Sequence, residues 1–277
     1  FAAFTNAIVA LGAIGGSTNG GQFVDKSSLN MFEGQYNLSE NLKLKDKGFD
    51  ILVGGNYKQY VLNSQGTLFA DTAGKIKIAE YGGYIQIQKK LFGDVLKLTA
   101  SGRYDKNDNF AGRFTPRGSA VLKLAKDHNV RLSYQSAYRF PSTQNQWINL
   151  MVSAGTKLMG GLPQLRDYYG FSSRPGYSVA NVTQFGTAFA TSIITQGGNP
   201  AAPTPTQAAT ALAASQGLLK PVEFGEFKPE TVNSYELGYK GLIGKKLLVD
   251  VYAYQSKYND FIGGTVVLQS NVSGATS

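Results

Sequence analysis

The chain has 277 residues, of which 42% are hydrophobic and only 16% charged, against the roughly 25% charged usual in soluble domains. That hydrophobic share excludes a disordered chain. The absence of cysteine excludes disulfides, thiolate metal sites and a thiol nucleophile. The net charge of +9 permits an anionic partner, but the lysines are spread through turns and strands, so nucleic acid is not indicated.

The chain opens on its most apolar run, residues 1–16. No segment anywhere reaches the roughly 20 apolar residues of a spanning helix. The run lacks a basic start, so it is no signal peptide, and residues 1–30 read as an extracellular loop or short helix. From residue 31 onward, segments alternate with period two. Phe32, Tyr36 and Leu38 oppose Glu33, Gln35 and Asn37. Residues 49–62 form a second, less regular segment. In 81–91, Ile85 and Ile87 oppose Gln86 and Gln88. In 95–105, Leu96, Leu98, Ala100 and Tyr104 oppose Lys97, Thr99, Ser101, Arg103 and Asp105. In 113–125, Phe114, Ala120 and Leu122 oppose Thr115, Arg117 and Ser119. In 130–140, Leu132, Tyr134 and Tyr138 oppose Arg131, Ser133, Gln135 and Arg139. Successive strand side chains point to opposite faces, so these are strands with one apolar and one polar face.

Residues 141–228 interrupt the series. They hold Trp147, Tyr168 and Tyr169, most of the prolines, and an Ala-rich stretch that predicts a short helix capped by Thr206. Two more strands follow within 229–262. Tyr235, Leu237 and Tyr239 oppose Glu236 and Lys240; Leu247, Val249 and Val251 oppose Asp250.

The connections alternate in length. Short ones lie at 40–48, 92–94, 126–128 and 242–245; longer ones lie at 63–80, 106–112 and 141–230. A soluble sandwich has no reason to sort its loops this way. An outer-membrane barrel does, with short periplasmic turns and long outer loops. Only helices and closed barrels satisfy every backbone group in lipid, so without a spanning helix a membrane reading requires a barrel. Tyr104, Phe114, Tyr134, Tyr138 and Phe140 then form an interfacial aromatic girdle.

Catalytic constellations are absent, so the chain reads as no enzyme. His128 is the only histidine and sits in a turn. The scattered carboxylates lack metal-binding spacing, and no cofactor motif is present.

The segment 227–241, FKPETVNSYELGYKG, carries a K-P-E…Y-E-x-G pattern. It resembles the barrels of TonB-dependent outer-membrane receptors. Residues 112–141, ending aromatic-Arg-aromatic-Pro, and 249–262 resemble strands of the same family. The segment 56–69 is similar to receptors of the Bacteroidota group. The resemblance implies part of a 22-stranded antiparallel barrel, about eight strands of it here, with the plug and the terminal strand missing. Residues 263–277 then begin another outer loop.

The implied activity is import of a large scarce solute (siderophore, cobalamin, glycan or peptide) with energy passed through TonB. The implied partners are TonB through an absent N-terminal region, the receptor's own plug, the lipid bilayer and a surface lipoprotein. The alternatives left open are a small closed barrel acting as porin or adhesin, and a soluble sandwich that binds glycans. Arg103, Arg117, Arg131, Glu236, Lys240 and Asp250 are expected to line the lumen as structural charges. Asp105, Arg113, Arg139, Trp147, Tyr168 and Tyr169 are the candidates for substrate contact.

Overall fold

The computed structural model describes residues 23–153 and 156–270. The predicted loop or helix over residues 1–30 lies mostly outside these. Contacts divide the chain into two units, Phe1–Gly160 with Lys228–Ile262, and Gly161–Phe227 with Gly263–Ser277.

The first unit is an eight-stranded antiparallel meander. Its strands are β1 (Ser28–Asn37), β2 (Phe49–Leu62), β3 (Ile76–Leu91), β4 (Leu96–Asn107), β5 (Phe110–Ala125), β6 (His128–Arg139), then β10 (Glu230–Ile243) and β11 (Leu247–Asn259). Each pairs with the next, and β6 pairs directly with β10 across the insertion. The strands run from 10 to 16 residues. A typical soluble strand has about 5–6. At about 3.3 Å per residue, these lengths suit a tilted crossing of a hydrocarbon layer about 30 Å thick. Among the described residues no helix is long and apolar enough to cross a membrane.

The period-two pattern survives as two faces. The apolar face is open: Phe32, Ile85, Phe114, Leu132, Leu237 and Val251 are 46–69% exposed. Paired with this exposure is a recurrent device in which an aromatic ring lies across a glycine on the neighbouring strand. A Cβ on Gly102 would stand 2.7 Å from the Phe114 ring, and one on Gly112 would stand 1.8 Å from the Tyr104 hydroxyl. Rings covering glycines hold register where no second layer packs.

The connections depart from the expected sorting. At one end lie residues 38–48, 92–95, 126–127 and 244–246; at the other lie 63–75, 108–109 and 140–229. The polar run 106–112 is therefore no loop. Asp108 bonds the backbone of Ala79 in both directions, its N–H donating to the carbonyl at 3.0 Å and its Oδ2 accepting from the N–H at 2.6 Å. Asn107 accepts from the Asn109 N–H at 3.0 Å. These side chains close a two-residue turn that composition disguises. In the 38–48 turn, Lys45 bonds Glu40 at 2.5 Å and holds its carboxyl below the usual range. His128 is not simply solvated: its Nδ1 lies 2.7 Å from the Tyr239 hydroxyl.

The unit's buried core sits at one end of the sheet. Leu62, Phe69 and Ile78 form it, with Trp147 and Tyr60 packed alongside. Asp71 folds loop 63–75 over it, accepting from the Ser64 hydroxyl at 2.6 Å and the Gly66 N–H at 2.7 Å. A short helix α1 (Thr143–Trp147) and the hairpin β7 (Asn149–Ser153)–β8 (Thr156–Met159) complete this end.

The second unit holds more helix than expected: α2 (Pro163–Tyr168), α3 (Val179–Thr195) and α4 (Pro205–Ser215), with a two-stranded sheet of β9 (Gly176–Ser178) and β12 (Val267–Gln269). Ile193 of α3 and Ala211 and Ser215 of α4 are fully buried. The α4 cap is Thr204, not Thr206. Thr204 accepts from the Gln207 N–H, and the Gln207 side chain accepts from the Thr204 N–H at 3.0 Å. Pro205 occupies the first helical position, so T-P-T-Q spells out a capping box.

Candidate functional site

The polar face of the sheet carries a ladder of charges, and most are paired across or along strands. Lys240 meets its register partner Asp250 at 3.3 Å. Arg131 reaches Glu236. Gly238 stands opposite Arg131 in register. The Y-E part of the pattern thus has a physical content: Tyr235 on the apolar face and, on the polar face, Glu236, which takes the arginine of the neighbouring strand.

Towards the core-bearing end, the pairs become drier. Lys58 and Glu80 are register partners 3.0 Å apart. Arg103 grips Asp105 with two bonds, Nε to Oδ2 at 2.7 Å and Nη2 to Oδ1 at 2.5 Å, and also donates to Asn56. Asp105 is 4% exposed. It was expected to meet solute, but both its oxygens are taken by Arg103. Gly82 makes this possible. A Cβ there would stand 1.8 Å from Asp105 Oδ1 and 2.8 Å from Arg103 Nη2.

Tyr138 departs from alternation. The β5–β6 ladder ends at Arg117↔Gln135, and beyond it β6 is held only by β10. Tyr138 leaves the outward set and interacts with Asp105. Its ring meets Phe140 edge-on at 4.9 Å, and Phe140 stacks on Phe110 at 5.9 Å. Tyr104, at 50% exposed, and Phe114 stay outward.

The K-P-E segment is a clasp on both neighbouring strands. Lys228 reaches Asp260, just past β11, at 3.2 Å. Glu230 binds Arg139 at the end of β6, Nη2 at 2.5 Å and Nε at 2.9 Å, while its other oxygen accepts from the Ile262 N–H at 2.9 Å. Glu230, Lys228 and Asp260 were not foreseen as site residues. The motif itself signals the first two; Asp260 lies outside it. Replacing Glu230 with Gln is expected to speed amide hydrogen exchange across 136–139 and 260–262, leaving the far end of β10 protected. Unchanged exchange there would dissolve the clasp.

The remaining candidates scatter. Arg113 faces Asp105 in register but makes no ion pair among the described residues. Arg117 makes none either. Trp147 is packed on the core cluster, and its buried indole N–H has no hydrogen-bond partner among the described residues. Tyr168, 74% exposed, and Tyr169 belong to the second unit, where their rings meet edge-on at 5.0 Å. No cluster of metal-ligating side chains occurs among the described residues.

The siderophore receptor PirA from Pseudomonas aeruginosa superposes with a TM-score of 0.50 at 15% identity, over 90% of this chain and 35% of that one. PirA from Acinetobacter baumannii gives 0.47 at 13%, over 85% and 28%. A mutant of the ferric enterobactin receptor PfeA from Pseudomonas aeruginosa gives 0.48 at 13%, over 85% and 27%. The chain thus spans about a third of the length of these structures. No curated protein matches it. The family model described as TonB dependent receptor-like, beta-barrel, covers residues 3–276. With its two-faced antiparallel ladder and a match over nearly its whole length, the chain belongs to the TonB-dependent receptor β-barrel family.

Proposed function

We propose that this chain is the wall of an outer-membrane receptor that imports a large scarce solute with energy delivered through TonB. One observation carries the reading. Eight consecutive strands turn bare apolar side chains to one side and ion-paired charges to the other. A soluble monomer rarely exposes apolar patches beyond a few hundred Å². Lipid against that face, and a wet lumen against the other, remove the conflict.

In this reading 63–75 and the insertion 141–228 face the exterior, and the 126–127 and 244–246 turns face the periplasm. Arg139 and the tyrosines of the insertion then lie towards the entering solute. A plug domain fills the lumen, TonB engages a segment before it, and a surface lipoprotein caps the mouth in a SusC-like, Bacteroidota-type arrangement. The solute is a siderophore, cobalamin, glycan or peptide. Among the described residues the sheet is open, with β1 and β11 each paired on one side only, which disfavours a closed eight-stranded barrel.

Two measurements test this. In the full-length receptor, a polarity-sensitive fluorophore on a single cysteine replacing Leu132 or Tyr134 should report hydrocarbon, and one replacing Arg131 a polar site. The reverse result rejects the phase. Growth of a deletion strain on defined iron, glycan and peptide sources should fail on one of them. Undiminished growth on all would reject uptake.

A further inference from the structure

The two short turns that close β5–β6 and β10–β11 lie side by side, since the Leu242 N–H of β10 donates to the Asp127 carbonyl at 3.0 Å. Together they carry Lys126, Lys245 and Lys246 against one carboxylate, Asp127. All three lysines are exposed. None is ion-paired among the described residues, whereas Lys45, Lys90 and Lys240 towards the same end each meet a carboxylate. The apolar face begins at these turns. Ile243 and Leu247 are exposed register partners on the phase of Leu237 and Val251, and exposed Leu124 lies two residues before Lys126.

Lys245 also stands where the backbone favours another residue. The Lys246 N–H closes the turn on the Ile243 carbonyl at 3.1 Å, and Gly244 and Lys245 are both left-handed at φ 57°. Hairpin turns of this kind favour glycine at the second central position. The pattern recurs in the 38–48 turn, where exposed Leu42 precedes Lys43, left-handed at φ 50°. A lysine held at a strained position beside an exposed apolar side chain points to a task for the lysine.

We propose that the paired turns 126–127 and 244–246 bind the phosphate headgroup of an anionic glycerophospholipid in the leaflet they touch. The proposal rests on the reading of the apolar face as lipid-facing. Leu124, Ile243 and Leu247 meet acyl chains, and the lysine stems run along this apolar rim and carry their ammonium groups to headgroup level. An ammonium is a point charge with rotatable donors, so it takes a phosphate oxygen from many directions, as a mobile headgroup requires. None of these groups belongs to the polar face, which the plug covers. Tyr239 and His128, bonded at 2.7 Å next to the turns, mark the depth at which the face becomes polar. The tight turn at the opposite end, 108–109, holds Asp108 and no lysine.

Full-length receptor is placed in vesicles of phosphatidylcholine with a minority of phosphatidylglycerol, with a fluorophore on a single cysteine replacing Leu247. Bromine on the acyl chains of one lipid or the other quenches it, and the ratio of the two, corrected for composition, reads the local preference. In about 0.1 M salt phosphatidylglycerol should be enriched about fivefold, the worth of one lysine at an anionic surface. In about 1 M salt, where screening acts beyond about 3 Å, the preference should fall below about twofold. Lys126→Gln, Lys245→Gln and Lys246→Gln combined should do the same in low salt. Lys245→Gly should lower the preference and leave the urea midpoint at or above wild type, because glycine suits the left-handed position. A second probe replacing Leu132 checks the membrane reading, and both brominated lipids should quench it.

If Leu132 is quenched and Leu247 shows no preference, or one that the triple variant keeps, the headgroup site is wrong and the lipid-facing reading stands. If Leu132 is quenched and Leu247 is not, the turns lie beyond the bilayer and the site is wrong. If neither probe is quenched, the apolar face does not meet lipid, and the site falls with that reading.

Discussion

Replacing Gly82 with alanine is expected to destabilise the full-length barrel by about 3 kcal/mol, although it adds a single methyl group to an exposed-looking strand. The new Cβ would stand 1.8 Å from Asp105 Oδ1. Asp105 is short and 4% exposed, so it has little freedom to retreat. Overpacking alone costs about 1–3 kcal/mol. Pushing the carboxylate off Arg103 adds part of the about 3–5 kcal/mol seen when a buried ion pair loses one partner.

The diagnostic is coupling. In a background where Asp105 is already alanine, the Gly82→Ala change should cost under about 1 kcal/mol, because the carboxylate has gone and the flexible tip of Arg103, 2.8 Å from the new Cβ, is free to swing aside. Urea unfolding of the receptor in lipid vesicles, read by the gel mobility of the folded barrel, measures all four corners of the cycle. Additive costs would mean that Gly82 serves another purpose. A wild-type midpoint for Gly82→Ala would mean that Asp105 does not lie on the β3 backbone.

The period-two pattern made most of this wall legible. It gave eight strands, their two faces and the shared polar face of Arg103, Arg117, Arg131, Glu236, Lys240 and Asp250, because alternation is a local property of the backbone. What it could not give was set by distant partners. Trp147 reads as an exposed loop aromatic until Leu62, Phe69 and Ile78 gather around it from two other segments. Tyr138 reads as outward until the β5–β6 ladder stops short of it.

The α3 helix was missed for a different reason. Its Val, Thr, Ile and Phe content favours strands. Only the Ser178 cap, whose hydroxyl accepts from the Asn181 N–H at 3.1 Å, and the Gly197–Gly198 stop signal a helix. The tight turn at Asp108 hid inside a run of polar residues that usually marks a long loop. The K-P-E motif was recognised by resemblance, and only the geometry supplied its work as a clasp.

The apolar face makes the second strong prediction. Leu132 is 58% exposed on the outward phase, one residue from Arg131 on the inward phase. An arginine placed on the lipid face costs about 2–4 kcal/mol near the bilayer midplane and little near the interfaces. Leu132→Arg in the full-length receptor should therefore lower unfolding stability by about 2–4 kcal/mol in vesicles. Arg131→Leu acts on the wet face and gives up an exposed pair with Glu236, worth about 0–1 kcal/mol.

The asymmetry between adjacent residues is the measurement. A soluble sheet gives the opposite order of sensitivity to its surroundings, because an arginine replacing an exposed leucine in water is nearly neutral. If thickening the bilayer deepens the Leu132→Arg penalty and leaves Arg131→Leu unchanged, the outward face contacts hydrocarbon. If the two substitutions cost the same in every bilayer, the alternation that defines this wall does not face a membrane.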